Sequence, residues 1–164
     1  MGAAALISLG AALTAEATSP AQVEPSLSER FYELLDETRA EYGLPSLPRS
    51  PTLEMVAWQR ASHIASGGEF SHYDENGNMI ISSLLPLDEE RTNLRRAEIL
   101  GRLSPAVRQA PKIMMDNFQA SCRHRSLILW SGAEEIGIAT AIANDGTLIM
   151  AGVLIGNSAP SKCP

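Results

Sequence analysis

The pattern that most restricts the fold of this chain lies in its last third, where apolar residues stop recurring at helical spacing and begin to alternate. Glu135-Ile136-Gly137-Ile138-Ala139-Thr140-Ala141-Ile142 has that alternation, Asn144-Asp145-Gly146 is a tight-turn sequence, and Thr147 to Ile155 is a second apolar run. Two such runs joined by an Asp-Gly turn predict a β-hairpin. Everything upstream reads as helix or loop. Helices first and strands last imply an α+β layered fold with a C-terminal β-hairpin, not a parallel sheet built from βαβ units. No internal repeat is visible.

The helical part divides at its prolines and glycines. Ser28 opens a first helix in which Leu27, Phe31, Leu34, Leu35, Thr38 and Tyr42 recur at helical spacing, and Gly43 ends it. Pro45 and Pro48 keep the next segment extended. Ser50-Pro51 starts a second helix, serine as N-cap and proline in the first turn, where a missing N–H costs nothing. Its buried stripe is Leu53, Val56, Ala57, Arg60, Ala61 and Ile64, with the arginine stem at the edge, and Gly67-Gly68 stops it. Asp74 to Asn78 is a polar turn. It is not a calcium loop, because the carboxylate spacing is wrong and the closing glutamate is absent. Asp88 is expected to cap a third helix across Glu89 to Leu100, with Leu94, Ala97 and Leu100 as its apolar edge. After Ser104-Pro105 the pattern is helical but interrupted at Pro111, and Ile113, Met114, Met115 and Phe118 form the expected packing face.

The chain has 164 residues, 45% hydrophobic and 20% charged, with a formal net charge of −6. That length suits one domain with a proper core. The acidic balance argues against a nucleic-acid partner, since nothing along the chain would displace counterions from phosphates. Residues 1–17 read as a secretory signal segment: Ala3 to Leu13 is small and apolar, and Ala15-Glu16-Ala17 fits a small-x-small cleavage site. The basic leader of such signals is missing, for no Lys or Arg precedes Arg30. The run is too short and alanine-rich to anchor in a bilayer, and no other stretch reads as transmembrane. The expectation is a secreted or periplasmic domain over residues 28–157, after a linker at 18–27 and before a tail at 158–164. Cys122 and Cys163 are the only cysteines. They are either one bridge tying the tail to the middle of the chain or two unrelated thiols.

Of three histidines, His63 falls inside the second helix off its apolar stripe and reads as a surface residue. His72 and His124 lie at junctions. No Ser-His-Asp arrangement is in evidence around them, and Cys122, two residues from His124, lacks the context of a thiol protease.

Four local patterns, in this order, resemble the CAP superfamily, which groups cysteine-rich secretory proteins, antigen 5 and plant pathogenesis-related proteins with bacterial extracellular members. They are the proline-started helix with Leu53, Ala57 and Ala61 that runs to Phe70-Ser71-His72; Ala97-Glu98-Ile99; Phe118-Gln119-Ala120-Ser121-Cys122-Arg123-His124-Arg125; and Glu135-Ile136-Gly137-Ile138-Ala139. The resemblance covers about residues 28 to 156. It departs at Ile99, where the family often has asparagine, and at a second acidic position that has no match. The resemblance implies an α-β-α sandwich around a small antiparallel sheet, and a cleft lined by His72, Glu98 and His124.

Two neutral imidazoles and a carboxylate at one cleft suit a divalent metal such as zinc, with His72 and His124 as ligands and Glu98 as a third ligand or general base. The same three residues can instead pin loops together as a buried polar cluster. No cofactor is required by the sequence. The expected role is binding of a small apolar or lipid-like ligand, a metal ion or a cell-envelope partner. The competing readings are a metal-dependent hydrolase of peptide or envelope substrates and a non-catalytic interaction module.

Overall fold

The expected hairpin is the centre of the molecule. In the computed structural model, which describes residues 24–87 and 93–162 with side chains from residue 27 onward, β2 (Ala133–Ile142) and β3 (Leu148–Gly156) pair antiparallel, with Ile142 opposite Leu148. The turn between them holds Gly146 at φ +80°, a conformation glycine adopts without a Cβ clash. β1 (Arg95–Leu103) pairs antiparallel with the other side of β3, so the strand order is β1-β3-β2. The helices are α1 (Glu24–Glu41), α2 (Pro51–Ala65), α3 (Ile80–Leu84), α4 (Ala110–Ala120) and α5 (Cys122–Ile128).

Side chains alternate across a strand, and on β3 the alternation splits the core in two. Leu148, Met150 and Leu154 pack with Phe31 and Leu35 of α1, Met114 and Phe118 of α4 and Ile128 of α5. Ile149, Ala151, Val153 and Ile155 pack on the opposite face with Leu53, Val56 and Ala61 of α2 and Ile81 of α3. The sheet is therefore covered on both faces, and the layers run helix, sheet, helix. This is the α-β-α sandwich with a small antiparallel sheet.

One element differs in kind from its expectation. The stretch ending at Leu100 is the strand β1, not the end of a helix, while the expected cap at Asp88 and first turn at Glu89 lie outside the described residues. Spacing explains the difference. Ala97 and Leu100 look like neighbours on a helix face, but on a strand an odd separation sends them to opposite faces. Ala97 joins the α1/α4 core and Leu100 the α2 core. A strand buried on both faces shows no alternation to read.

Smaller differences lie at element ends. α1 starts at Glu24, four residues before Ser28 and inside the expected linker. The interruption at Pro111 is the first turn of one helix, α4. Ile113 of that helix faces solvent, while Ala110, Met114, Met115 and Phe118 are buried. Tyr42 falls after α1 and is exposed. The signal segment at 1–17 and Cys163 lie outside the described residues.

Candidate functional site

β1 carries the residue on which the site is built. Ala97 and Ile99 face the α1/α4 core, so Glu98 between them faces α2. There it meets Arg60, whose Nε donates to Glu98 Oε1 at 2.6 Å. Both side chains are shut away from water, at 1% and 0% exposure. A buried pair of this kind loses much of its Coulombic gain to desolvation. Its effect is to fix geometry, because Arg60 also donates from Nη2 to the Ser71 carbonyl at the base of the next loop.

That loop presents His72. Asp74 accepts from the backbone N–H groups of Asn76 and Asn78, an Asx turn that tightens it. The Ile80 N–H donates to the His72 carbonyl at 3.0 Å. His72 Nδ1 lies 2.8 Å from Glu98 Oε2. A carboxylate can only accept, so Nδ1 carries the proton and, in the neutral ring, Nε2 keeps the lone pair. The ring is 37% exposed. Arg60, Glu98 and His72 thus form a relay of hydrogen bonds from the interior to a partly solvated imidazole.

His124 approaches from the other helical layer. Ser121 breaks the helix after α4, and His124 sits in the short α5 that follows, its ring 5.0 Å from that of Phe118. Burial holds its pKa below the ordinary histidine value, and the positive charge His72 carries when protonated lowers it further. A cleft of about 290 Å³ lies beside it at the edge of β1, walled by Phe70, Leu100, Gly101, Met114, Phe118 and Ser121. Gly101 is required there, since a Cβ would stand 2.5 Å from Phe118 Cζ.

The structure therefore brings His72 and Glu98 into direct hydrogen bonding and sets His124 within electrostatic reach of His72. Both oxygens of Glu98 are engaged, one by Arg60 and one by His72, so the carboxylate orients the imidazole and is not turned outward as a ligand. Among the described residues no group of three or more His, Cys, Asp or Glu side chains is placed to hold a metal ion together. Cys122 is disulfide-bonded; its expected partner, Cys163, lies outside the described residues. His63 takes no part in the cleft.

Sequence reasoning missed two contributors. Arg60 was signalled by its place in the middle of an apolar stripe, where a charge demands a buried partner. Arg102, whose guanidinium lies 4.9 Å over the Phe70 ring, had no signal, because that contact joins a loop to a strand far along the chain.

Residues 32–154 match the family model described as the cysteine-rich secretory protein family, CAP. Among solved structures, an outer surface protein of Borrelia burgdorferi superposes with a TM-score of 0.66 at 17% identity, over 81% of this chain and 94% of that one. A cysteine-rich secretory protein of Staphylococcus aureus superposes with a TM-score of 0.60 at 22% identity, over 84% of this chain but only 40% of its own length. Hookworm platelet inhibitor follows at a TM-score of 0.54 and 14% identity, over 85% of this chain and 73% of that one. At these identities the likeness is one of fold. No curated protein matches this chain in sequence.

Proposed function

We propose, from the premise that this chain belongs to the cysteine-rich secretory protein (CAP) family, that it is an exported binding domain whose cleft takes an amphipathic ligand. The apolar part of the ligand lies against Leu100, Met114 and Phe118, and a polar head meets the imidazoles of His72 and His124. One observation carries this reading. A fully buried Arg60–Glu98 pair spends its hydrogen bonds on holding a solvent-facing histidine, an arrangement that packing alone does not call for. Export is supported by the apolar residues 3–13 and by the disulfide at Cys122, since such bonds persist in oxidising compartments. Among the described residues no helix is long and apolar enough to cross a membrane.

A divalent ion fits this site only in part. His72 Nε2 and the His124 ring are its donors, and Glu98 behind His72 is the outer-shell carboxylate that fixes tautomer and orientation. The remaining positions would fall to water or to the ligand head. A bound zinc would supply Lewis acidity there. The residues of the chain, for their part, hold the imidazoles and keep the carboxylate away from solvent.

The test is calorimetry and ring-proton NMR with oleate and, separately, with zinc, on the parent protein and on the His72→Ala and His124→Ala variants. Binding of either probe that weakens at least tenfold in both variants supports the cleft as the site. Binding unchanged by both substitutions removes it. Hydrolysis of a peptide substrate that chelator abolishes and zinc restores would replace the binding reading with the hydrolase.

A further inference from the structure

α2 is apolar on two sides. Leu53, Val56, Ala57, Ala61 and Ile64 are buried on the side that faces the sheet. On the opposite side Pro51, Met55, Trp58 and Ser62 recur at steps of four, three and four, the spacing of a seam that packs on a second helix. Met55 is 56% exposed and Trp58 53%. Beside them is a groove of about 360 Å³ walled by Pro51, Glu54, Met55 and Trp58. The other long helices turn charges outward: Glu29, Glu33 and Glu37 on α1, and the ion-paired Lys112 and Asp116 on α4. A helix that is apolar all round is normally buried all round.

The chemistry of the outer stripe narrows its partner. α2 holds no Lys or Asp, its one Arg is the buried Arg60, and its one Glu, Glu54, accepts from Tyr32 Oη at 2.8 Å. Helices that lie on membranes carry Lys or Arg beside their apolar face, and this face offers neither. In a chain of net charge −6, two copies repel one another through charged faces and can meet at an uncharged one. The stripe also complements itself. The groove has apolar walls and a carboxylate that can accept from an indole N–H, and the same stripe carries an exposed indole. With two α2 helices antiparallel about a twofold axis, Trp58 of each lies against Met55 of the other, and Pro51 against Ser62. Each contact is then made twice.

We propose that the outer stripe of α2 is the interface of a twofold dimer of this chain, with Trp58 of each copy seated in the Pro51–Met55 groove of the other. The contact is small beside a standard interface of some 20–30 residues a side, so a dissociation constant of about 10–100 µM is expected. The cleft walls at Phe70, Leu100, Met114 and Phe118 belong to other parts of the fold, so the dimer and the cleft do not compete for a surface.

Sedimentation equilibrium of the full chain from about 2 µM to about 500 µM tests this, and the mass should rise toward twice that of the monomer. Trp130 is 1% exposed, so a change in tryptophan emission reports Trp58, the only other tryptophan. That emission should move to shorter wavelength over the same range. Trp58→Ala and Met55→Glu should each weaken the dimer by about tenfold or more, whereas Ile113→Glu on the exposed face of α4 should change it less than about twofold. A monomer at every concentration overturns the proposal. So does a dimer indifferent to both α2 substitutions, which would lie on another face. A shift of Trp58 emission caused by phosphatidylcholine vesicles, with the chain still monomeric, would give the stripe to a lipid surface and overturn it too.

Discussion

At the scale of single residues, Arg60 decides most. Arg60→Met would leave Glu98 buried without its cation, and breaking one side of such a pair costs about 3–5 kcal/mol. Urea denaturation should show that loss as a lower midpoint. Arg60→Met combined with Glu98→Leu should recover most of the stability, because no charge is stranded, while His72 loses its anchor and oleate or zinc binding falls. His124 gives a pH prediction. Its pKa is lowered in the folded protein, so as pH falls below about 6.5 the unfolded chain takes up the proton first. The unfolded state then binds more protons, and stability falls with pH until the folded imidazole also titrates. His124→Phe should flatten this slope, and His72→Asn should raise the His124 pKa in a ring-proton titration. That His72 and His124 each follow a helix was legible in the sequence. That both oxygens of Glu98 are taken was not, since no pattern tells which way a carboxylate turns.

Elements succeed or fail by how closely they approach. At Gly137 of β2 a Cβ would run into the backbone of Leu53 and Glu54 in α2, so helix and strand meet there without a side chain between them. Gly137→Ala should cost about 3 kcal/mol, at the upper end of overpacking, whereas Ile113→Ala on the exposed face of α4 should change stability by less than about 0.5 kcal/mol. Thermal unfolding of the two variants side by side checks both. α2 was readable because Ser50-Pro51 and its apolar stripe agree with each other. β1 was not. Both its faces are buried, and the Ala97–Leu100 spacing fits a helix as well as a strand. The turn residues around the hairpin, by contrast, carry their own geometry at Gly146.

For the whole molecule, the disulfide at Cys122 is a covalent constraint two residues from His124. Its removal in Cys122→Ser should lower stability by about 2–4 kcal/mol, read from urea unfolding of the oxidised parent against the variant. What the sequence determined by itself was local and periodic: the α+β class, the hairpin, the helix that starts at Pro51, and the ordered motifs that mark the family. These follow from backbone propensity and from the repeat of apolar residues, which act over a few neighbours. Only the tertiary structure decided that β1 lies on the far side of β3 and that Glu98 turns inward from it to meet Arg60 and His72. Those outcomes depend on which surfaces bury each other across long stretches of chain. That choice is made by packing and desolvation together, and no single segment records it.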